Sequence, residues 1–144
     1  MLLNIKRVFL AGIAVVVVLV ATFITNSREA ESIEWIPYTT VAVAENKADG
    51  KSSAVLFYTR WALSADPRGG LATPAIHQAL VNAGYIAMEA DLTDASMGSF
   101  RELQKHGFNS VPVLVLYPAA GACIGFDGGT PESEIVSAVA RPRR

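Results

Sequence analysis

The chain has 144 residues, 51% of them apolar and 17% charged, with a formal net charge of −1. That length suits one globular domain plus a targeting segment, and the composition supports a packed core and excludes wholesale disorder. Twelve basic against thirteen acidic residues give no sign of the basic face a nucleic-acid partner needs, and a single cysteine, Cys123, excludes an intrachain disulfide.

Residues 1–7 end in Lys6-Arg7, and residues 8–25 follow without a charge. A helix of about 20 apolar residues spans a hydrocarbon core of about 30 Å, so 8–25 is read as a transmembrane anchor. Arg28, Glu29, Glu31 and Glu34 come after it. With the basic pair on the N-terminal side, the N-terminus is expected in the cytoplasm and the rest of this single-pass chain in the periplasm or extracellular space. The rival reading is a cleaved signal peptide, but Asn26-Ser27-Arg28-Glu29-Ala30 offers no small-x-small cleavage site. A lipoprotein signal needs a cysteine near this point, and the only one is Cys123. The anchor also explains much of the mean hydropathy of +0.34.

Residues 26–34 read as a polar linker, residues 35–140 as the folded domain and residues 141–144 as a basic tail. Within the domain, Val41–Asn46 is helical and closes at the turn Ala48-Asp49-Gly50-Lys51. Ala54–Tyr58 is a continuous apolar run, the pattern of a strand buried on both faces. A loop, Asp66-Pro67-Arg68-Gly69-Gly70, leads to Thr73-Pro74, an N-cap followed by proline at the first helical position. Ile76, Leu80 and Val81 form that helix's apolar stripe, and Gly84 ends it. Tyr85–Ala90 is the next strand. Ser96 or Ser99 caps a helix carrying Phe100 and Leu103, which stops at Gly107. Val113–Tyr117 is a second buried strand. Ala119-Ala120-Gly121 turns the chain into Ala122–Phe126 as a hairpin, and Thr130-Pro131-Glu132-Ser133 starts a last helix with Ile135, Val136 and Val139 inward. Strands joined through helices imply parallel central pairing, with the closing hairpin antiparallel.

This order resembles the thioredoxin-like superfamily. Phe57-Tyr58-Thr59-Arg60-Trp61 resembles the family's strand, aromatic and tryptophan leading into Cys-x-x-Cys. Val111-Pro112-Val113 resembles its cis-proline segment, and Gly128 or Gly129 its late glycine. Ala90-Asp91-Leu92-Thr93 is similar to the Asp-x-Thr of the periplasmic C-terminal domain of DsbD-type thiol:disulfide interchange proteins. The resemblance covers Trp35 to Ala140. It implies an α/β fold, a mixed sheet with helices on both faces, in which Ala54–Tyr58 and Val113–Tyr117 are adjacent central strands and Val111-Pro112 is cis.

The departure lies at the chemistry. Where the family has Trp-Cys-x-x-Cys, this chain has Trp61-Ala62-Leu63-Ser64-Ala65, so Ala62 and Ala65 are degenerate active-site positions. Disulfide exchange needs a thiolate and a resolving thiol, and alanine supplies neither. The buried Asp the family often carries six residues before its first cysteine is Leu56 here. No catalytic residue, metal or cofactor is therefore assigned. Ser64 as a nucleophile would need a base, and His77 and His106 read as surface or capping residues. Cys123 reads as a small buried hydrophobe on a strand, and Asp91 with Thr93 as a backbone turn. The expected function is protein binding or scaffolding in the maturation of envelope proteins, through a surface of Trp61, Leu63, Ser64, Val111 and Pro112, with a cell-envelope protein as partner. The alternatives are a thiol protein acting through Cys123 alone and a structural subunit of a membrane complex.

Overall fold

The computed structural model describes residues 34–61, 66–94 and 97–141. The anchor expected at 8–25, the linker up to residue 33 and the motif positions Ala62, Leu63, Ser64 and Ala65 lie outside them. Among the described residues no helix is long and apolar enough to cross a membrane.

Five strands, β1 (Ile36–Pro37), β2 (Ser52–Tyr58), β3 (Tyr85–Asp91), β4 (Val113–Tyr117) and β5 (Ile124–Asp127), form one sheet in the order β1-β3-β2-β4-β5. The helices are α1 (Thr40–Ala48), α2 (Pro74–Asn82), α3 (Met97–Lys105) and α4 (Glu132–Ala140). The strand alternation of side chains sorts the core into two layers. Ala54, Leu56 and Tyr58 of β2 and Leu114 and Leu116 of β4 pack with Ile76 and Leu80 of α2 and Ile135 and Val139 of α4. Val55 and Phe57 of β2 and Val113 and Val115 of β4 face the other way, toward Ala42 and Val43 of α1 and Phe100 and Leu103 of α3. Helices thus cover both faces, and β2 and β4 are adjacent and central, as the apolar runs imply.

One expectation is corrected. β3 pairs in parallel with β1 and β2, but β4 pairs antiparallel with β2, Phe57 opposite Val113. The reason is where the chain re-enters. β3 ends beside the end of β2, Asp91 opposite Tyr58. α3 carries the chain away from that end and residues 106–112 bring it back, so β4 must run in the opposite sense. A second correction concerns the hairpin, whose outer strand starts at Ile124 rather than Ala122. The ladder begins at Leu116 opposite Ile124, which leaves Cys123 before it and exposed rather than buried.

The start of α2 and the end of α3 follow the sequence. The Thr73 side chain accepts a bond from the Ile76 N–H at 3.3 Å, with Pro74 at the first helical position. Gly107, at φ 82°, ends α3 in a Schellman arrangement: its N–H donates to the Gln104 carbonyl at 3.0 Å, and the Phe108 N–H to the Leu103 carbonyl at 3.1 Å. That cap sets Phe108 against β5. A Cβ on Gly125 would lie 2.2 Å from the Phe108 ring, so the ring occupies the space a side chain would need.

Candidate binding surface at the sheet rim

Because β2 and β4 are antiparallel, the end of β2 and the start of β4 share one rim of the sheet. Trp61, past the end of β2, is 63% exposed. Val111 and Pro112, before β4, are half-buried and joined by a cis peptide bond. Two glycines approach Pro112. A Cβ on Gly69 would stand 3.1 Å from Pro112 Cγ, and one on Gly128 would stand 3.2 Å from the same atom. Gly69 also has φ 55°, the left-handed region that favours glycine. Of the two late glycines, Gly128 is the one that meets the proline. The rim therefore carries Trp61, Val111 and Pro112 of the expected surface; Leu63 and Ser64 are not among the described residues.

Charged groups brace the rim. The Arg60 guanidinium lies 2.7 Å from Asp91 Oδ2 and 3.8 Å from Asp94 Oδ2. The Arg60 N–H donates to Thr93 Oγ1 at 2.8 Å, and the Thr93 N–H to Asp91 Oδ1 at 2.9 Å. The Thr93 hydroxyl also donates to Asp91 Oδ1. That hydroxyl is the leading cause that holds the Asp91 carboxyl below its usual range, with Arg60 adding to it. Asp91 and Thr93 thus turn the backbone, as expected, and also tie the β2 exit to the β3 exit.

Arg68 does the same for the next loop. Its Nη2 is 2.9 Å from Glu89 Oε2, and its guanidinium carbon is 5.5 Å from the centre of the Tyr58 ring. The approach to Glu89 is close enough for an ion pair but is not aligned as a hydrogen bond, so the attraction is mainly electrostatic. Pro37, Tyr38, Tyr58, Glu89 and Asp91 line an open cleft of about 460 Å³ at the C-terminal ends of the parallel strands. Arg68 and Glu89 carry no functional weight in the sequence. The available signal is a carboxylate inside the otherwise apolar run Tyr85–Ala90.

The histidines are half-buried, which corrects their reading as surface residues. His106 Nε2 is 3.0 Å from the Tyr117 hydroxyl and 3.5 Å from Glu102 Oε1. His77 stacks flat on Trp35, ring centres 5.4 Å apart, with its Nε2 buried and without a hydrogen-bond partner. Burial first, and Arg68 second, hold the His77 pKa below the ordinary histidine value. A histidine whose folded-state pKa is lowered binds protons more readily unfolded, so its contribution is intact above the ordinary value and is lost as pH falls below it. The domain is therefore expected to lose melting temperature between about pH 7 and pH 5, and His77→Phe, which keeps the stacking, to lose less. Parallel Tm–pH curves for the two proteins refute this assignment. Neither histidine, nor Cys123, forms part of a metal-ligand cluster among the described residues.

The architecture is the thioredoxin fold. Solved structures similar to the chain include the C-terminal domain of Neisseria meningitidis DsbD in its oxidised form, 17% identical, TM-score 0.52, covering 73% of this chain and 96% of that one. A thioredoxin from Thermus thermophilus is 22% identical, TM-score 0.53, over 75% of this chain and 85% of its own. Trxlp from Edwardsiella tarda is 16% identical, TM-score 0.53, over 75% of this chain and 100% of its own. No protein-family model matches the sequence, and no curated protein matches it. At these identities the likeness establishes the fold. Against that fold, the chain carries one cysteine, unpaired and away from the rim motif.

Proposed function

We propose that this chain is a membrane-anchored, extracytoplasmic thioredoxin-fold domain that binds a protein partner in the cell envelope and does not exchange disulfides. One observation carries the reading: an exposed Trp61, past the end of β2, and a cis Val111-Pro112, before β4, lie on one rim of the sheet, while Ala62 and Ala65 stand at the two thiol positions that the resemblance implies. Tryptophan is enriched among interface hot spots, and a solvent-facing indole is a costly residue to leave idle. The uncharged run 8–25 behind Lys6-Arg7 supports the anchor and its orientation. Envelope protein maturation enters only as what the resemblance to DsbD-type thiol:disulfide interchange proteins implies.

The exposure of Cys123 favours a second reading, a one-thiol protein that forms mixed disulfides with its partner. Crosslinking in intact membranes separates the two. Under the binding reading, Trp61→Ala loses partner crosslinks with little change in melting temperature, Cys123→Ser keeps them, and the full chain matches the blank in an insulin-reduction assay. Loss of the crosslinks in Cys123→Ser, or turnover in the assay, transfers the function to the thiol. A Trp61→Ala chain that keeps its partners removes the rim from the account.

A further inference from the structure

The loop 66–71 reaches the rim directly after the motif positions, and no thiol in this chain is available to fix it there. Its main chain nevertheless comes hard against Pro112 at Gly69. Leu71 anchors its far end, fully buried. Inside the loop, the Arg68 N–H donates to Asp66 Oδ1 at 2.9 Å, and the Gly69 N–H to the Asp66 carbonyl at 3.1 Å. These bonds shape the loop from within. Arg68 attaches it to two strands of the sheet at once: to Glu89 on β3 at 2.9 Å and to the Tyr58 ring on β2 at 5.5 Å.

The placement of Glu89 matters. It stands opposite Leu56 in the β2–β3 register, so the two side chains emerge on the same face of the sheet. Leu56 occupies the position of the buried acid that the resemblance to the thioredoxin-like superfamily implies. On this face the carboxylate sits one strand over, paired with an arginine from the loop. We propose that Arg68 is the positioning residue of the rim: its guanidinium clamps loop 66–71 to Glu89 and Tyr58 and so holds Gly69 against Pro112. A planar guanidinium can stack on an aromatic face and pair with a carboxylate together, whereas an ammonium is a point charge that loses the stacking. Lysine therefore replaces it only in part.

The clamp goes beyond the proposed function, and its test needs no partner. Amide hydrogen exchange is measured on the full chain in detergent micelles for the wild type, Arg68→Ala and Arg68→Lys. Local opening of the loop is expected to speed exchange at the Gly69 and Leu71 amides by about tenfold in Arg68→Ala, the combined size of a half-buried ion pair and one cation–π contact. The ladder amides of β2 and β4 should keep their protection, and Arg68→Lys, which keeps the charge but loses the planar stacking, should fall between the wild type and Arg68→Ala. Unchanged exchange at Gly69 and Leu71 overturns the clamp. So does a uniform rise across the sheet, which would mean that Arg68 contributes only to global stability, and so does full protection in Arg68→Lys. Loss of the clamp with partner crosslinks intact would leave the clamp standing and count against the rim as the binding site.

Discussion

Leu56→Asp should be among the most damaging single substitutions in the domain. Leu56 is fully buried, between Glu89 on β3 and Leu114 on β4. The change removes a packed side chain, which costs about 2–5 kcal/mol in comparable cores, and introduces a carboxylate beside an existing one. A melting temperature lower by at least ~10 °C is expected at about pH 7 for a domain of this size. The pH dependence gives a sharper signature. Burial and the Glu89 charge both raise the folded-state pKa of the new acid, so its penalty is least at low pH and grows as pH rises from the acid's unfolded-state pKa. The variant should recover on acidification relative to the wild type, against the trend attributed above to His77. A Leu56→Asp chain that melts within a few degrees of the wild type at neutral pH would show that this core still accepts the acid. If the chain follows the family it resembles, where the acid at the Leu56 position helps proton transfer, cysteines restored at Ala62 and Ala65 alone should give at most weak exchange activity.

The second large effect is at Gly125. Alanine there would place a Cβ 2.2 Å from one carbon of the Phe108 ring and 2.6 Å from another. The ring must swing out of the layer it shares with Phe57 and Leu103, or β5 must lift from β4. Overpacking of this kind costs about 1–3 kcal/mol, and valine should cost more than alanine. The check is a double-mutant cycle by chemical denaturation. Phe108→Leu should cost stability in the wild-type background and cost much less, or gain, beside Gly125→Ala, a coupling of about 0.5–3 kcal/mol. Additive effects would mean that the ring and the strand do not compete for the same space.

These two sites mark where the sequence is legible. Leu56 is readable because it belongs to an unbroken apolar run, Ala54–Tyr58, and such runs become central strands. Thr73-Pro74, Gly84 and Gly107 are readable because a cap is local chemistry. Gly125 is not: as a sequence signal it is one more hairpin glycine, and its reason lies in a ring delivered from residue 108 by the end of a helix. The direction of β4 is hidden for a related reason. Helix-linked strands are usually parallel, but the connection through α3 starts and finishes at the same end of the sheet, and nothing in residues 92–112 announces it. Cys123 reads as a strand residue because Ala122–Phe126 alternates acceptably, whereas the ladder closes one residue after it. Of the candidate surface, the aromatic and the proline are legible as motif remnants. The Arg68–Glu89 brace is not, since it joins a loop to a strand that is not its neighbour in sequence.

The antiparallel placement of β4 has a consequence for the order in which the molecule becomes competent. Trp61 and Pro112 share one rim only through the Phe57–Val113 pairing, which is a long-range contact. As the chain is synthesised, β1 to α3 emerge first and already contain the tryptophan, but the opposite wall arrives only with β4. No partly made chain that stops short of β4 can display the two-sided surface. A partner that gripped both sides, as the proposed function requires, would therefore engage only chains in which β4 has been added to the sheet.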